Sequence, residues 1–214
     1  MPRRKRIWYP GAIYHVLSRG NRRAPIFMDE RDYRQFLRYL QKAQAEMHFE
    51  IHTLCLMTNH FHMLVRTGDV DLSDIMQFVL YKYARYFNRR HGYTGHLFER
   101  RFTSFNIEDD LYYREVSRYI HLNPVKAGIV DDPIDYAYSS YWMFVDDNRN
   151  SGDAEKAGGN KIDKMIEKLV DPRMVLQQFN NNKNRYKGFV QSRISHKDHE
   201  IKIQKDINED AIEN

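Results

Sequence analysis

The 214-residue chain has a single cysteine, and one thiol cannot close an internal disulfide. Cys55 lies in the apolar run IHTLCLM. There it reads as a small buried hydrophobe, and a reducing, cytoplasmic setting is expected. No apolar stretch comes near the roughly 18 to 20 residues that a membrane span requires. The opening MPRRKRIWYPG lacks the hydrophobic core of a secretory signal, so a soluble chain without a membrane partner is expected. There is no cysteine cluster and no HExxH helix, which excludes thiolate zinc sites and the metalloprotease arrangement. Internal repeats are also missing, which argues against a solenoid.

Material for a core is ample. Hydrophobic residues make up 42% and aromatic residues 14%, with fifteen Tyr and twelve Phe. One catalytic domain with an appendage suits this length. Residues 1–145 hold 21 Lys and Arg against 16 Asp and Glu, while residues 146–214 balance at 13 and 13, so the net +5 falls in the first part. A polyanionic partner is consistent with that distribution.

Periodicity gives the order β-α-β-β-α-β-α. The basic run Arg3, Arg4, Lys5 and Arg6 precedes a strand in IYHVLSRG, which ends in the basic turn RGNRR. A helix begins at Asp29, with Phe36, Leu37 and Leu40 as its core stripe. FEIHTLCLM and FHMLVRT form an antiparallel hairpin, expected at the centre of a sheet. A second helix follows Asp71 and stops at His91-Gly92, burying Leu72, Ile75, Met76, Val79, Leu80, Tyr83 and Phe87. GHLFERRFTSFNIE supplies a strand, and DDLYYREVSRYIHLN a third helix stopped by Pro124. This order suits an α+β fold: a ferredoxin-like antiparallel sheet with helices mainly on one face. Residues 1–145 are expected to form the catalytic domain and the polar stretch 146–160 a linker. Residues 161–214 then form an extension, with two short helices in 161–193 and a frayed end.

The chemical centre is MTNHFHMLV. Strand alternation sends His60 and His62 to one face, and Phe61, Met63 and Val65 to the other. Two imidazoles on one face can offer nitrogens to one divalent metal. The residues alone also allow two solvent-facing or hydrogen-bonded histidines with no metal. Tyr119 and Asn123, four apart in YIHLNP, share a helix face. If that helix lies over the histidines, hydroxyl, amide and imidazoles share one space, a donor set suited to Mg²⁺ or Mn²⁺. Alternatively, Tyr119 is a core aromatic and Asn123 a helix cap before Pro124.

The strings YHVLSRGNRR, LCLMTNHFHMLV, GHLFERRF and YIHLNPVKAGIV, in this order and spacing, closely resemble the HUH single-tyrosine transposases, particularly the REP-associated tyrosine transposase branch. The resemblance covers residues 8–142. It implies the HUH endonuclease fold and cleavage and rejoining of single-stranded DNA through a 5′-phosphotyrosine on Tyr119. It also implies a divalent metal held by His60 and His62. The polar amide that completes the metal site one turn after the tyrosine maps to Asn123, where related insertion-sequence transposases have Gln.

The expected partner is single-stranded or hairpin DNA, with either a monomer or a homodimer compatible with the sequence. Lys82, Arg85 and Arg89 form a stripe on the second helix away from its apolar face and can meet phosphates. Arg19, Arg22 and Arg23 form a loop patch, and Arg100 and Arg101 another. Two rivals stand beside this reading: a non-catalytic nucleic-acid-binding module, which does not need both histidines, and a metal-dependent hydrolase, which does not need Tyr119.

Overall fold

The computed structural model describes residues 8–145 and 161–193. The basic run at Arg3 to Arg6, the 146–160 stretch and the end beyond residue 193 lie outside the described residues. Four strands, β1 (Ile13–Arg19), β2 (Glu50–Met57), β3 (His60–Arg66) and β4 (Thr103–Ile107), form one antiparallel sheet in the order β2-β3-β1-β4. With α1 (Glu30–Met47) and α2 (Leu72–His91) as crossovers, this is the ferredoxin-like arrangement.

The helix ends follow from capping. The Asp29 carboxylate accepts from the backbone N–H groups of Arg31 and Asp32, and Asp71 accepts from Ser73. Gly92 closes α2 at φ 61°, a left-handed conformation that glycine adopts without steric penalty. The third helix, α3 (Asp110–Lys126), starts at the Asp109 cap and runs on past the expected stop at Pro124. Pro124 removes one backbone donor, but it stands in the last turn. There the side-chain amide of Asn123 donates to Tyr119 O at 2.9 Å, an additional bond for the end of the helix.

Strands β1, β2 and β3 each serve two cores. Tyr14, Val16, Leu54, Leu56, Phe61, Met63 and Val65 face α1 and α2, meeting Phe36, Leu37, Leu40, Val79, Tyr83 and Phe87. Cys55, Met57 and Leu64 face α3, meeting Val116, Tyr119 and Ile120. The α+β class holds, with the two crossover helices on one face and α3 covering the other. The hairpin is less central than expected: β3 is interior, while β2 is the last strand in the ladder. Its outer edge is covered by Tyr138, Ser140 and Asp171, which exchange backbone hydrogen bonds with Leu56, Leu54 and Ile51 at 2.8–2.9 Å. Such cover protects an edge from pairing with another chain.

Residues 161–193 fold into α4 (Lys161–Glu167), α5 (Arg173–Gln177) and α6 (Lys183–Gln191), three helices where two were expected. They are not an appendage. Ile162, Ile166, Leu169 and Val170 belong to the core under α1 and α2, and Val175, Leu176, Tyr186 and Val190 to the core under α3. Tyr186 Oη bonds His121 Nδ1 at 2.7 Å, and Arg118 donates to Phe189 O at 3.1 Å. The polar composition that suggested an extension belongs mainly to exposed positions, while a sparse set of apolar residues does the docking.

Candidate nucleic-acid cleavage site

β3 starts directly after a two-residue turn, Thr58–Asn59, so His60 stands at the end of the sheet and His62 one pleat further in. His62 is 2% exposed. The two rings lie edge-on with centroids 5.0 Å apart, so the expected convergence on one face is present. α3 crosses that face and brings Tyr119 edge-on to His62 at 5.5 Å between centroids. Tyr112, seven residues earlier, sits in the first turn of α3 beside the Asp109 cap.

The hydrogen bonding around the histidines shows which atoms are committed. Asn59 spends its amide nitrogen on Arg23 O at 3.0 Å and turns its oxygen to His60 Nδ1 at 2.6 Å. Asn123, whose nitrogen donates to Tyr119 O, also bonds His60. A neutral imidazole has one proton for these two amide oxygens. Burial first, then the Arg19 charge, hold His60 down to about 4, with the Asn123 bond acting the other way. His60 is therefore neutral at pH 7, and one of its nitrogens presents a lone pair towards an oxygen that is also an acceptor. His62 is held well below the ordinary histidine value by burial, then by His60, His15, Arg19 and Lys126.

Sequence reasoning missed two residues. His15, on β1, is fully buried and places Nε2 3.0 Å from His62 Nδ1, with the rings stacked at 5.2 Å. Its other nitrogen, Nδ1, is buried without a hydrogen-bond partner. Alternation along β1 puts His15 on the chemical face, but only strand register brings it to His62. Lys126 sits with Nζ 4.5 Å from the centroid of the Tyr119 ring, and its only sequence signal was the seven-residue spacing along α3.

The donor set fits a divalent cation. Each histidine of the pair ties Nδ1 to an outer partner, Asn59 or His15; with the proton on that nitrogen, Nε2 carries the lone pair, the usual bonding of metal-ligating imidazoles. Both are neutral, as ligands must be. Among the described residues no three His, Cys, Asp or Glu side chains are grouped to hold a metal. A cation here would need donors beyond the two histidines.

The basic residues divide. Arg19 pairs with His60 across β1 and β3. Arg22 and Arg23 are exposed on a turn fastened to Asn59, and residues 97–99 bond to Arg19 and Asn21, which carries Arg100 and Arg101 to the same end of the sheet. Gly20 permits this crowding, since a Cβ there would lie 2.1 Å from Ala24 O. Lys82, Arg85 and Arg89 are exposed on α2, across the sheet from the histidines, and are not gathered around them.

A ferredoxin-like sheet with a histidine pair facing a helix-borne tyrosine is the arrangement of the HUH class. The family described as Transposase IS200 like matches residues 9–123, and the chain belongs to that family. No curated protein matches the chain. Among solved structures, a REP-associated tyrosine transposase bound to a REP hairpin superimposes with TM-score 0.57 at 23% identity, covering 76% of this chain and 90% of its own. A Deinococcus radiodurans protein solved under a transposase description gives TM-score 0.40 at 16% identity, covering 55% of this chain and 95% of its own. Among the described residues no helix is long and apolar enough to cross a membrane.

Proposed function

We propose that the protein cleaves and rejoins single-stranded DNA, with Tyr119 as nucleophile and Mg²⁺ or Mn²⁺ held by His60, His62 and Asn123. The observation that carries this reading is the meeting of Tyr119 with the His60–His62 pair. The Tyr119 oxygen attacks a backbone phosphorus and the bond to the 3′ oxygen breaks. This gives a 5′-phosphotyrosine and, once the leaving oxygen takes a proton, a free 3′-OH. The reverse attack by a 3′-OH restores the strand, so no nucleotide cofactor is consumed. A bound metal supplies charge stabilisation at the phosphate oxygens.

The chain's own residues supply the rest. A tyrosine of ordinary pKa near 10 is a poor nucleophile at neutral pH. Lys126, with Nζ 4.5 Å from the centroid of the Tyr119 ring, brings a positive charge beside the nucleophile. His15 is a positioning residue: by accepting from His62 Nδ1–H it holds His62 in the tautomer whose Nε2 is a donor to a metal. Arg19, Arg22, Arg23, Arg100 and Arg101 lie at the His60 end of the sheet and suit phosphate contacts that position a strand. The hairpin in the solved relative supports a substrate that carries a hairpin.

The test is incubation with single-stranded oligonucleotides and Mn²⁺, followed by a denaturing gel and peptide mapping. A covalent adduct on Tyr119 is expected, lost in Tyr119→Phe while DNA affinity and thermal stability stay unchanged. Undiminished cleavage by Tyr119→Phe would instead support a hydrolase, and DNA binding without any adduct a non-catalytic module.

A further inference from the structure

We propose that the cleft between α1 and α4 is a second DNA site, which grips the phosphate backbone of a double-helical segment on the side of the sheet away from Tyr119. The proposal rests on the reading that the substrate is DNA. The cleft has a volume of about 870 Å³ and is walled by Arg34 and Arg38 of α1 and by Lys161, Lys164 and Lys168 on and just after α4, with no carboxylate among the described residues of its lining.

Helical spacing builds these walls. Arg34 and Arg38 are one turn apart, and Lys161, Lys164 and Lys168 follow at intervals of three and four, so each set forms a stripe. The two stripes face each other because α4 is fixed in place. Ile162 and Ile166 are fully buried, the Gln41 amide donates to Met165 O at 3.3 Å, and the Gln44 amide donates to Leu169 O at 3.1 Å. These two glutamines are committed to holding α4, and the remaining polar groups of the lining are cations. Of the acids in α4, Asp163 is buried and Glu167 is outside the lining. Arg34 pairs with Glu30 at 3.1 Å, an exposed pair that contributes little.

Charge over a longer stretch agrees. Residues 161–193 hold eight Lys and Arg against three Asp and Glu. The apparent neutrality of the second part of the chain comes from acids on either side of this segment. Five cations gathered around one cleft raise its positive potential and repel one another. A polyanion removes that repulsion. Seven residues of helix advance about 10 Å, the axial length of about three phosphates of one duplex strand at roughly 3.4 Å each. Cations spread over that length suit a backbone better than a single small anion.

The site is tested with the full chain and a labelled random-sequence DNA duplex, by fluorescence anisotropy over a range of salt. Combined Lys161→Gln, Lys164→Gln and Lys168→Gln should weaken duplex binding on the order of 10-fold or more, and reduce the slope of log affinity against log salt by about 2 to 3. Adduct formation on a single-stranded oligonucleotide should be unchanged. Unaltered duplex affinity and slope would overturn the proposal, as would a loss confined to duplex RNA. If the triple variant unfolds early, Arg38→Gln with Lys168→Gln carries the same test, with a slope change of about 1 to 2. A chain that forms no adduct but loses duplex binding in these variants keeps the cleft and discards the catalytic reading.

Discussion

The two faces of the sheet are made by the same strands and do different work. On the face under α1 and α2, Val16, Phe61, Met63 and Val65 enter an apolar core. One residue away along the chain, His15, His60 and His62 enter the other face, where burial keeps them neutral. The first face holds a buried acidic side chain, Asp32, which is saturated by Met28 N, Tyr86 Oη, Arg90 and His91 and pins α1 to α2. The second face leaves polar atoms uncommitted, such as His15 Nδ1. Saturated polar groups serve stability, while unsaturated ones next to a nucleophile are consistent with a site that receives a substrate.

The largest effect should come from removing what both faces share. A chain ending at Val145 loses Ile162, Ile166, Leu169 and Val170 from one core and Val175, Leu176, Tyr186 and Val190 from the other, all 8% exposed or less. At roughly 1.5–3 kcal/mol for each large side chain, this matches or exceeds the usual stability of a domain, so cooperative thermal unfolding should vanish. A truncated chain that melts cooperatively near the full-length temperature would show that the cores stand without this segment.

Neighbours on β3 should then separate the faces. Phe61→Ala removes a fully buried ring and should cost about 3–5 kcal/mol in chemical denaturation, with adduct yield per folded molecule retained. His62→Ala should abolish the adduct and weaken Mn²⁺ binding measured by calorimetry. His15→Leu should weaken Mn²⁺ binding about 10- to 100-fold, with partial rescue by His15→Gln, whose side-chain amide can again accept. Equal Mn²⁺ affinity in His15→Leu and the parent would remove His15 from the site.

Taken one histidine at a time, the effect on acid stability is smaller than that of Phe61→Ala. His15 and His121 are held down to about 3, both by burial, and His60 to about 4, by burial and then Arg19. Below the unfolded value near 6.5 the unfolded chain takes up protons that the native chain refuses, so stability falls as pH drops from about 6.5 towards about 4. Each histidine contributes about 2 kcal/mol of loss by pH 5. His121, away from the candidate metal site and bonded to Tyr186 and Ser140, gives the clearest signal. A denaturant midpoint that stays constant between pH 7 and 5 in metal-free protein would contradict these buried neutral imidazoles.

Much of this was legible along the chain. Asp29 and Asp71 start helices and Gly92 ends one because capping is local, and the two-residue turn before His60 sets its face because strands alternate. The basic residues near the site were visible only as separate patches. Backbone bonds among residues 19–23, 59 and 97–99 joined Arg19, Arg22, Arg23, Arg100 and Arg101, and left Lys82, Arg85 and Arg89 across the sheet.

By itself the sequence determined the order of elements, the shared face of His60 and His62, the α3 face of Tyr119 and Asn123 and, through its motifs, the transposase family. All of these depend on periods of two or 3.6 residues or on short ordered strings. Only the tertiary structure decided that His15 meets His62, that Lys126 covers the Tyr119 ring, and that residues 161–193 complete both cores and wall a basic cleft. Each of these joins positions far apart in the chain or set by helix packing. Register and docking follow from the summed burial of many side chains, which no local pattern records.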